Sequence, residues 1–386
     1  MIPRQAAAKL RVLAAQFRSV AVIGPRQSGK TTLSRACFPD KPYASLETPE
    51  TRRFALDDPK GFLASYPDGA ILDEIQRAPE LLSWLQQRLD EDGRRGLFIL
   101  TGSNNFLLLE QITQSLAGRA AYLDLLPLSF SEWHPTLGSQ PPLDEVLLKG
   151  GYPAILAEGA DPQDWFAAYV RTYVERDVRQ IKNLGNLLAF ERLLALCAGR
   201  VGQLLNTSHL ANELGVDVKT VQSWLGILQA SYIIHLLPPY FQNFSKRIVK
   251  TPKLYFCDTG LAAYLLRIGD TRALGLHPLR GALFENFILN ELLKNRLNQG
   301  LRSNLYFWRD QGGHELDVLI DEGDQVIPVE IKSGQTVHQD FFKGLQYWRA
   351  LTGRDTAGRI YYGGDSGQQR SGGDQVRSWR HLAPDE

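Results

Sequence analysis

Apolar and polar positions in the first third of the chain follow the pattern of short buried strands separated by helices. Ser19 to Gly24 is an apolar run that ends in glycine, and Ala70 to Glu74 is a run that ends in two carboxylates. Gly96 to Asn104 is a third run, and it ends in small polar residues. An amphipathic helix precedes them, with its apolar side at Leu10, Val12, Leu13 and Phe17. This alternation predicts an α/β domain with a parallel sheet.

The middle of the chain has a largely helical pattern. Residues 136–186 are mostly of helical type, and residues 208–215 and 218–228 form two helical stretches joined at Gly215. Two helices joined in this way predict a helix-turn-helix. The segment after them is β-like, and its residues 245–253 contain four basic side chains and no acid. Such a strand pair with a basic tip is typical of the wing of a winged helix.

The last third returns to a mixed pattern. Leu283 to Leu293 predicts an amphipathic helix, and three strands are predicted after it at residues 305–309, 314–320 and 325–334. The turn-like sequence Asp321 to Asp324 separates the second strand from the third. The third strand carries Glu330 and Lys332 on one face, because alternate residues of a strand point the same way.

Composition narrows the class of protein. The 386 residues exceed one ordinary core and predict two to four domains, while 44% hydrophobic and 22% charged residues indicate a soluble globular chain. No apolar run reaches the roughly 18 residues of a membrane span. The N-terminus lacks a signal-type apolar stretch, and three scattered cysteines favour a reducing compartment. We therefore expect a cytoplasmic protein without a membrane partner. The net charge of +1 gives no global reason to expect nucleic acid.

The turn after the first strand carries the motif G-x4-G-K-[ST], as GPRQSGKT, between a strand and a helix. In this motif the loop N–H groups point at phosphate oxygens, Lys30 reaches the β- and γ-phosphates, and the Thr31 hydroxyl ligates magnesium. The expected nucleotide-binding residues of the loop are Gly24, Pro25, Arg26, Gln27, Ser28, Gly29, Lys30, Thr31 and Thr32. The motif predicts ATP and Mg²⁺ as cofactors. The alternative is an ordinary glycine turn before a helix.

The ends of the next two strands supply further candidate residues. Asp73 is expected to bind the magnesium, directly or through water, and Glu74 to act as the base that polarises the attacking water. Ser103 or Asn104 is a candidate sensor of the γ-phosphate, since the carboxyl ends of parallel strands face one crevice. The alternative for Asp73 and Glu74 is a strand that merely ends in an exposed acidic turn.

The runs GPRQSGKT, ILDEIQ, LTGSNN, SLAGR and LPLSFSEW together resemble the archaeal-type AAA+ ATPases, in which a characteristic second domain follows the motor. The resemblance covers essentially the whole chain, including GGYPAIL at residues 150–156 and YFCDTGL at 255–261. It implies an ATPase core with a helical lid, and a homo-oligomeric ring, commonly a hexamer. Arg119 in SLAGR is then a candidate phosphate-contacting arginine, within its own subunit or offered to a neighbour. The alternative is a surface arginine at a helix end.

The helix-turn-helix predicts a DNA partner. Its second helix would enter a groove with Lys219, Gln222 and Ser223 near the bases. The basic wing residues would contact phosphates, namely Lys246, Arg247, Lys250 and Lys253. The alternative is that the winged helix only packs against other parts of the protein.

The last third carries a set of charged residues on core-type strands. Glu285, Asp317, Glu330 and Lys332 occur in an order that resembles the PD-(D/E)xK nuclease superfamily. The resemblance implies that Asp317 and Glu330 bind a metal, that Lys332 assists the nucleophile and that Glu285 joins them; Gln346 matches the glutamine of a RecB-like branch. Such a site activates water against a phosphodiester. The alternatives are a nucleic-acid-binding scaffold without cleavage and a salt-bridged surface strand.

The predicted organisation is a P-loop ATPase domain at 1–135, a helical lid at 136–190, a winged helix at 191–255 and a nuclease-like α/β domain at 256–386. The first hypothesis is an ATP-driven machine that acts on DNA, with nuclease activity left open. The second is a non-nucleolytic, nucleotide-dependent regulatory or protein-binding assembly. DNA binding together with DNA-stimulated ATP hydrolysis distinguishes the two.

Overall fold

The computed structural model describes residues 1–103, 116–138, 140–174, 186–241 and 249–382. Three of the predicted site residues, Asn104, Lys246 and Arg247, lie outside the described residues.

The described residues form helices and strands in alternation near the N-terminus, a mainly helical middle region and a C-terminal region with consecutive strands. The α-helices are α1 (Ala6–Gln16), α2 (Lys30–Cys37), α3 (Pro49–Asp57), α4 (Pro59–Ala64), α5 (Leu81–Glu91), α6 (Phe130–Leu137), α7 (Leu143–Lys149), α8 (Pro153–Ala157), α9 (Pro162–Tyr169), α10 (Leu187–Ala198), α11 (Thr207–Leu214), α12 (Val218–Ala230), α13 (Thr259–Leu265), α14 (Thr271–Leu276), α15 (Arg280–Asn298) and α16 (Lys343–Thr352). The strands are β1 (Ser19–Gly24), β2 (Tyr43–Ser45), β3 (Ala70–Asp73), β4 (Phe98–Ser103), β5 (Ala120–Asp124), β6 (Ile234–Leu237), β7 (Lys253–Phe256), β8 (Leu305–Arg309), β9 (Glu315–Asp321), β10 (Val326–Lys332), β11 (Arg359–Tyr362), β12 (Gln368–Gln369) and β13 (Gln375–Ser378).

The N-terminal region has a five-stranded sheet in the order β2-β3-β4-β1-β5, with every neighbouring pair parallel. Every residue of β1 and β4 is buried, as expected for central strands covered on both faces. Helices α1 and α2 cover one face, and α4 and α5 cover the other. The predicted α/β fold with a parallel sheet is confirmed. Because all five strands run the same way, their carboxyl ends share one edge of the sheet.

The N-terminal helix α1 differs in one respect from its prediction. Leu10 and Leu13 are buried against the sheet, but the Val12 side chain is 47% exposed. The apolar side of α1 is therefore narrower than the sequence pattern indicated.

The middle region contains the predicted helix pair. Helices α11 and α12 meet at Gly215, whose φ of 67° is the left-handed conformation that ends α11. Strands β6 and β7 follow as an antiparallel pair. Two described residues between these strands bond to β8: Tyr240 N donates to Phe307 O at 2.8 Å and Val249 N donates to Arg309 O at 3.2 Å. The middle and C-terminal regions thus share main-chain hydrogen bonds and one continuous core.

The C-terminal region has a six-stranded mixed sheet in the order β12-β13-β11-β10-β9-β8. Strands β8, β9 and β10 are antiparallel neighbours, and β11 and β13 continue parallel to β10. The long helix α15 packs on β10 with one face, and α16 packs on the other side of the same strand. The three strands predicted in this region are present, each within about two residues of its predicted ends. Of the helices in the described ranges, none has both the length and the apolar character that a membrane crossing requires.

Candidate nucleotide-binding site

The loop between β1 and α2 depends on two glycines. Gly24 has a φ of 154°, and a Cβ atom there would lie 2.2 Å from the carbonyl oxygen of Leu125. Gly29 adopts the left-handed conformation, with φ 92°, directly before the first turn of α2. Both positions exclude an L side chain, the first by contact and the second by backbone conformation. The loop therefore turns tightly enough to direct the N-terminus of α2 at the space above β1.

Lys30 is the first residue of α2 and is only 5% exposed. Its Nζ donates to Gly24 O at 3.1 Å and to Pro25 O at 2.6 Å. The ammonium group is thus held over the loop, beside the helix N-terminus. A positive charge and free N–H groups that converge in this way form a site for phosphate oxygens.

Asp73 ends β3 and is the centre of a polar network. The Thr31 hydroxyl donates to Asp73 Oδ1 at 2.8 Å, the Tyr43 hydroxyl donates to Oδ2 at 2.7 Å, and the Thr101 hydroxyl also donates to Oδ1. Burial, followed by the hydrogen bond to Asp73, raises the pKa of Tyr43 to about 12. The phenol therefore stays protonated and keeps donating to the carboxylate at neutral pH.

The residues around Asp73 fit Mg²⁺ bound together with a nucleotide. The described residues contain no group of three or more His, Cys, Asp or Glu that would hold a metal ion by itself. Mg²⁺ in nucleotide sites is typically held by one or two protein oxygens, with phosphate and water completing the octahedron. The adjacent Thr31 hydroxyl and Asp73 carboxylate supply oxygens of this kind.

Glu74 follows β3 and has a left-handed backbone, with φ 56° and ψ 48°. This conformation is unfavourable for a side chain other than glycine, asparagine or aspartate. Its carboxylate accepts hydrogen bonds from the Gln76 amide and, at 3.4 Å, from the Ser103 hydroxyl at the end of β4. Gln76 Nε2 also donates to Ser103 Oγ at 2.8 Å. The structure thus brings Glu74 and Ser103 together, at the same sheet edge as Lys30.

Arg119 lies at the opposite side of the sheet, where the amino ends of the strands meet. It immediately precedes β5, and its carbonyl oxygen accepts from the N–H of Ser19, the first residue of β1. The length of β1, about 17 Å, separates this edge from the phosphate loop. The guanidinium pairs with Asp90 through Nε at 2.6 Å and Nη2 at 2.8 Å. This geometry corrects the expectation that Arg119 contacts phosphate within its own subunit, and the role at a neighbouring subunit stays a prediction.

Arg4 is a site residue that sequence reasoning missed. Its side chain, 8% exposed, donates from Nη1 to Ser28 O at 2.8 Å and from Nη2 to Leu126 O at 2.7 Å. Its Nε pairs with Glu132 Oε1 at 3.0 Å. Glu132 also accepts from the Ser129 N–H at the start of α6, which gives the motif LPLSFSEW a structural role. Arg4 thereby joins the phosphate loop to the segment that leaves the sheet.

An open cavity of about 690 Å³ lies beside the phosphate loop. The N-terminal segment with α1, α2 and α8 form its walls, with Ile2, Arg4, Gly29, Thr32, Cys37 and Pro153 among the lining residues. The volume is in the range of ligand-binding pockets in proteins.

Two further motifs meet next to this cavity. Gly151 N, in GGYPAIL, donates to Asp258 Oδ2 at 2.7 Å, and Asp258, in YFCDTGL, also caps α13 by accepting from Leu261 N at 3.1 Å. A Cβ atom on Gly150 would lie 2.1 Å from Asp258 Oδ1. The two motifs therefore hold α7, α8 and α13 together, and they place Pro153 at the cavity wall.

Three of the lysines predicted to contact DNA are described by the structure, and they lie in two different environments. Lys219, on the outer side of α12, and Lys250 are exposed. Lys253, in contrast, is only 3% exposed and pairs with Glu285 at 3.2 Å and with Glu315. Lys253 belongs to β7, whose side chains face the C-terminal region at this position. The expectation of a phosphate contact from Lys253 is therefore corrected.

The charged residues predicted on β9 and β10 do lie together. Lys332 Nζ contacts Asp317 Oδ2 at 3.2 Å and also Glu330, while Val329 and Ile331 point into the core as predicted. Burial would raise the pKa of Asp317, but the ammonium groups of Lys332 and Lys253 lower it. Burial and the nearby Asp317 charge raise the pKa of Glu330 to about 8. Gln346 lies on the exposed side of α16.

Some of the missed residues left a trace in the sequence. Thr101 lies two positions before Ser103 on β4, so strand alternation places both side chains on one face of the sheet. Tyr43 belongs to a three-residue strand that the apolar pattern does not reveal, and Arg4 acts through a contact 128 residues away along the chain. Neither Tyr43 nor Arg4 has a pattern in the neighbouring sequence that indicates its role at the site.

Known families match three consecutive parts of the chain. Residues 16–134 match an AAA domain, residues 140–272 match a domain of unknown function (DUF8612) and residues 280–382 match another (DUF4143). An uncharacterized protein of Mycobacterium tuberculosis is 32% identical over 337 residues, which cover 86% of this chain and 74% of that protein. An uncharacterized protein of Methanocaldococcus jannaschii is 22% identical over 349 residues, which cover 82% of this chain and 75% of that protein. Among solved structures, the Walker-type ATPase paby2304 of Pyrococcus abyssi has a TM-score of 0.43 and 17% identity, and the alignment covers 68% of this chain and 95% of that one.

Proposed function

The chain belongs to the same family as this uncharacterized protein of Mycobacterium tuberculosis, its residues 16–134 match an AAA domain, and on that basis we propose that it binds and hydrolyses ATP with Mg²⁺. The observation that carries the proposal is the hydrogen bond between Thr31 on the phosphate loop and Asp73 at the end of β3. It joins the two elements that must act together on a magnesium nucleotide.

In the proposed reaction the protein positions the phosphates and the attacking water. The N–H groups of the loop and the Lys30 ammonium bind the β- and γ-phosphates, while Thr31 and Asp73 hold the magnesium. The magnesium, when bound, neutralises charge on the phosphate oxygens. Glu74 accepts the proton of the attacking water, and Ser103, in contact with Glu74, contacts the γ-phosphate.

We further propose that the cavity beside the loop holds the base of the nucleotide. Gly29 and Thr32 line both the cavity and the phosphate loop, so a nucleotide with its phosphates on the loop extends into this space. Arg4 contributes to both the cavity and the phosphate loop, because it lines the cavity and donates to the carbonyl oxygen of Ser28.

The proposed substrate of the motor is DNA. We propose that residues 191–255 are a winged helix and that residues 256–386 are a PD-(D/E)xK nuclease-like module, after the ATPase domain at 1–135 and the lid at 136–190. Two features support DNA contact by the winged helix: the exposed face of α12 with Lys219 and Gln222, and the exposed Lys250. Basic residues on such a helix and its wing neutralise backbone phosphates.

ATP hydrolysis measured without DNA and with duplex, branched and single-stranded DNA tests the proposal. A machine that acts on DNA hydrolyses ATP faster with at least one of these, and its DNA binding weakens as salt increases. A folded protein that hydrolyses ATP at one rate in all four conditions and binds no DNA at low salt would refute the DNA part alone.

One observation favours the second hypothesis, a nucleotide-dependent regulatory or protein-binding assembly without nuclease activity. Lys253 is paired with carboxylates of the C-terminal region, and the main-chain N–H groups of Tyr240 and Val249 donate to β8. A lysine paired in this way does not contact DNA phosphates. Under this hypothesis ATP hydrolysis is independent of DNA, and partner binding changes with the nucleotide.

A further inference from the structure

A cluster of four carboxylates lies where β7 meets the C-terminal sheet. It consists of Glu285 on α15, Glu315 and Asp317 on β9, and Glu330 on β10. Three of these residues are the acids expected to surround a divalent metal ion. Carboxylates placed this close repel one another unless a cation lies among them.

Two ammonium groups of the chain itself lie among these carboxylates. Lys253 Nζ contacts Glu285 at 3.2 Å and also Glu315, and Lys332 Nζ contacts Asp317 at 3.2 Å and also Glu330. The guanidinium of Arg309 pairs with the second oxygen of Glu315 at 3.1 Å. Each of the four carboxylates therefore has a cationic partner.

Lys253 differs from the other two cations in the region of the chain to which it belongs and in the exposed fraction of its side chain. It comes from β7 of the middle region, whereas Lys332 and Arg309 belong to the C-terminal sheet. Its side chain is 3% exposed, compared with 32% for Lys332 and 39% for Arg309. The Tyr255 hydroxyl, two residues further along β7, donates to Glu285 as well. Strand β7 thus inserts one positive charge and one hydroxyl donor into the cluster.

The surrounding backbone fits closely around the acids. A Cβ atom on Gly344 of α16 would lie 1.8 Å from Glu330 Oε1, so this helix approaches the carboxylate as closely as glycine allows. The cluster is therefore bordered by α15, α16 and β7, and the buried Lys253 ammonium contacts two of its carboxylates. A hydrated divalent ion would have to displace that group before it reached Glu285 and Asp317 together.

We propose that Lys253 closes this carboxylate cluster to divalent metal ions, as an autoinhibitory contact that the middle region makes with the C-terminal region. While β7 is docked, the ammonium supplies the charge that a metal ion would otherwise supply. Opening of the site requires β7 to move away from α15. This inference does not depend on the ATPase activity proposed above.

Binding of Mn²⁺ alone to the full-length, nucleotide-free protein tests the proposal, with Mn²⁺ bound per chain followed by electron paramagnetic resonance. Wild type and Lys253→Arg, which keeps the charge, are expected to show no site that depends on Asp317. Lys253→Gln is expected to gain a single site at least about tenfold tighter than any wild-type binding. The double variant Lys253→Gln/Asp317→Asn is expected to lose it.

Two results would overturn the proposal. One is a Mn²⁺ site in the protein with Lys253 intact that Asp317→Asn removes. The other is a folded Lys253→Gln protein, judged by circular dichroism, that gains no site. Lys253→Met, close in length and uncharged, replaces Lys253→Gln if the glutamine variant does not fold. The wild-type comparison with Asp317→Asn needs no change at Lys253.

Discussion

At the scale of single residues, Lys30 and Glu74 have separable tasks in the same site. Lys30→Ala removes the main cation that faces the phosphates, so tight nucleotide binding should be lost. Glu74→Gln keeps the shape of the side chain but removes the base, so ATP should stay bound while turnover falls by roughly 10² to 10⁴. Binding of a fluorescent ATP analogue and steady-state phosphate release measure the two effects.

Glu80→Gln is the matched control for Glu74→Gln. Glu80 is exposed at the start of α5, and the structure gives its side chain no capping hydrogen bond. The Glu80→Gln protein should hydrolyse ATP at the wild-type rate. A Glu74→Gln protein that also does so would rule out Glu74 as the base.

His235 on β6 predicts a pH dependence of stability. Its Nε2 is buried without a hydrogen-bond partner, although the residue as a whole is partly exposed, and burial lowers its pKa to about 4. Between its ordinary pKa and this value, the unfolded chain binds a proton that the folded chain does not. Stability should therefore fall as pH decreases from about 7 to 5, by about 2 kcal/mol.

Urea unfolding at pH 7 and pH 5 measures this effect, in wild type and in His235→Gln. Other groups also titrate in this range, so the relevant quantity is the difference between the two proteins. The variant should lose less stability than wild type by about 2 kcal/mol. Equal losses would show that His235 is not buried in its neutral form.

The site residues that the sequence alone identified are those that belong to a local motif or follow a local apolar run. Lys30 and Thr31 lie within a continuous motif, and Asp73 and Glu74 end an apolar run. Arg4 and Tyr43 act on the same site through tertiary contacts, and no spacing along the chain connects them to it. Lys253 shows the opposite error: its basic surroundings in sequence indicated a surface residue, but β7 buries it among acids.

At the scale of elements, α12 and the wing segment carry the DNA proposal. Replacement of Lys246, Arg247 and Lys250 by alanine should weaken DNA binding, and so should Lys219→Ala. Each lost phosphate contact should reduce the slope of log affinity against log salt by about 0.9. DNA-binding titrations at several salt concentrations measure this slope.

Lys60→Ala is the control, because Lys60 is an exposed lysine on α4 of the N-terminal region. Its loss should leave both affinity and slope unchanged. If the wing and α12 variants keep the wild-type slope, the DNA-binding surface lies elsewhere on the protein.

The helices and strands that the sequence predicted are those whose ends depend on residues nearby in the chain. Strand β1 and the helix pair α11–α12 begin within one residue of where the apolar pattern indicates, and in the structure Asn206 and Asp217 cap the two helices. The hydrogen bonds from Tyr240 and Val249 to β8 were not predictable, since they join segments about 60 residues apart.

At the scale of the whole molecule, two edges of one sheet carry the proposed site. The carboxyl edge holds Lys30, Asp73 and Glu74, and the amino edge holds Arg119 paired with the exposed Asp90. One chain cannot bring Arg119 to its own phosphate loop without unfolding β1. A head-to-tail contact between subunits can, and repetition of that contact forms a ring when the rotation between subunits closes. We propose such a ring, with a hexamer as the expected size.

Mixing two inactive variants tests whether Arg119 acts across a subunit boundary. Arg119→Ala and Glu74→Gln should each be nearly inactive alone, since an arginine supplied to a phosphoryl-transfer site contributes about 10³-fold or more. In mixed rings, an Arg119→Ala subunit keeps its own Glu74 and receives Arg119 from a Glu74→Gln neighbour. Random mixing in equal amounts restores about a quarter of the sites. A mixture of Glu74→Gln with Lys30→Ala leaves only sites with Lys30 or Glu74 missing, so it should stay inactive. If the Arg119→Ala mixture also stays inactive although the proteins assemble, Arg119 does not complete a neighbour's site.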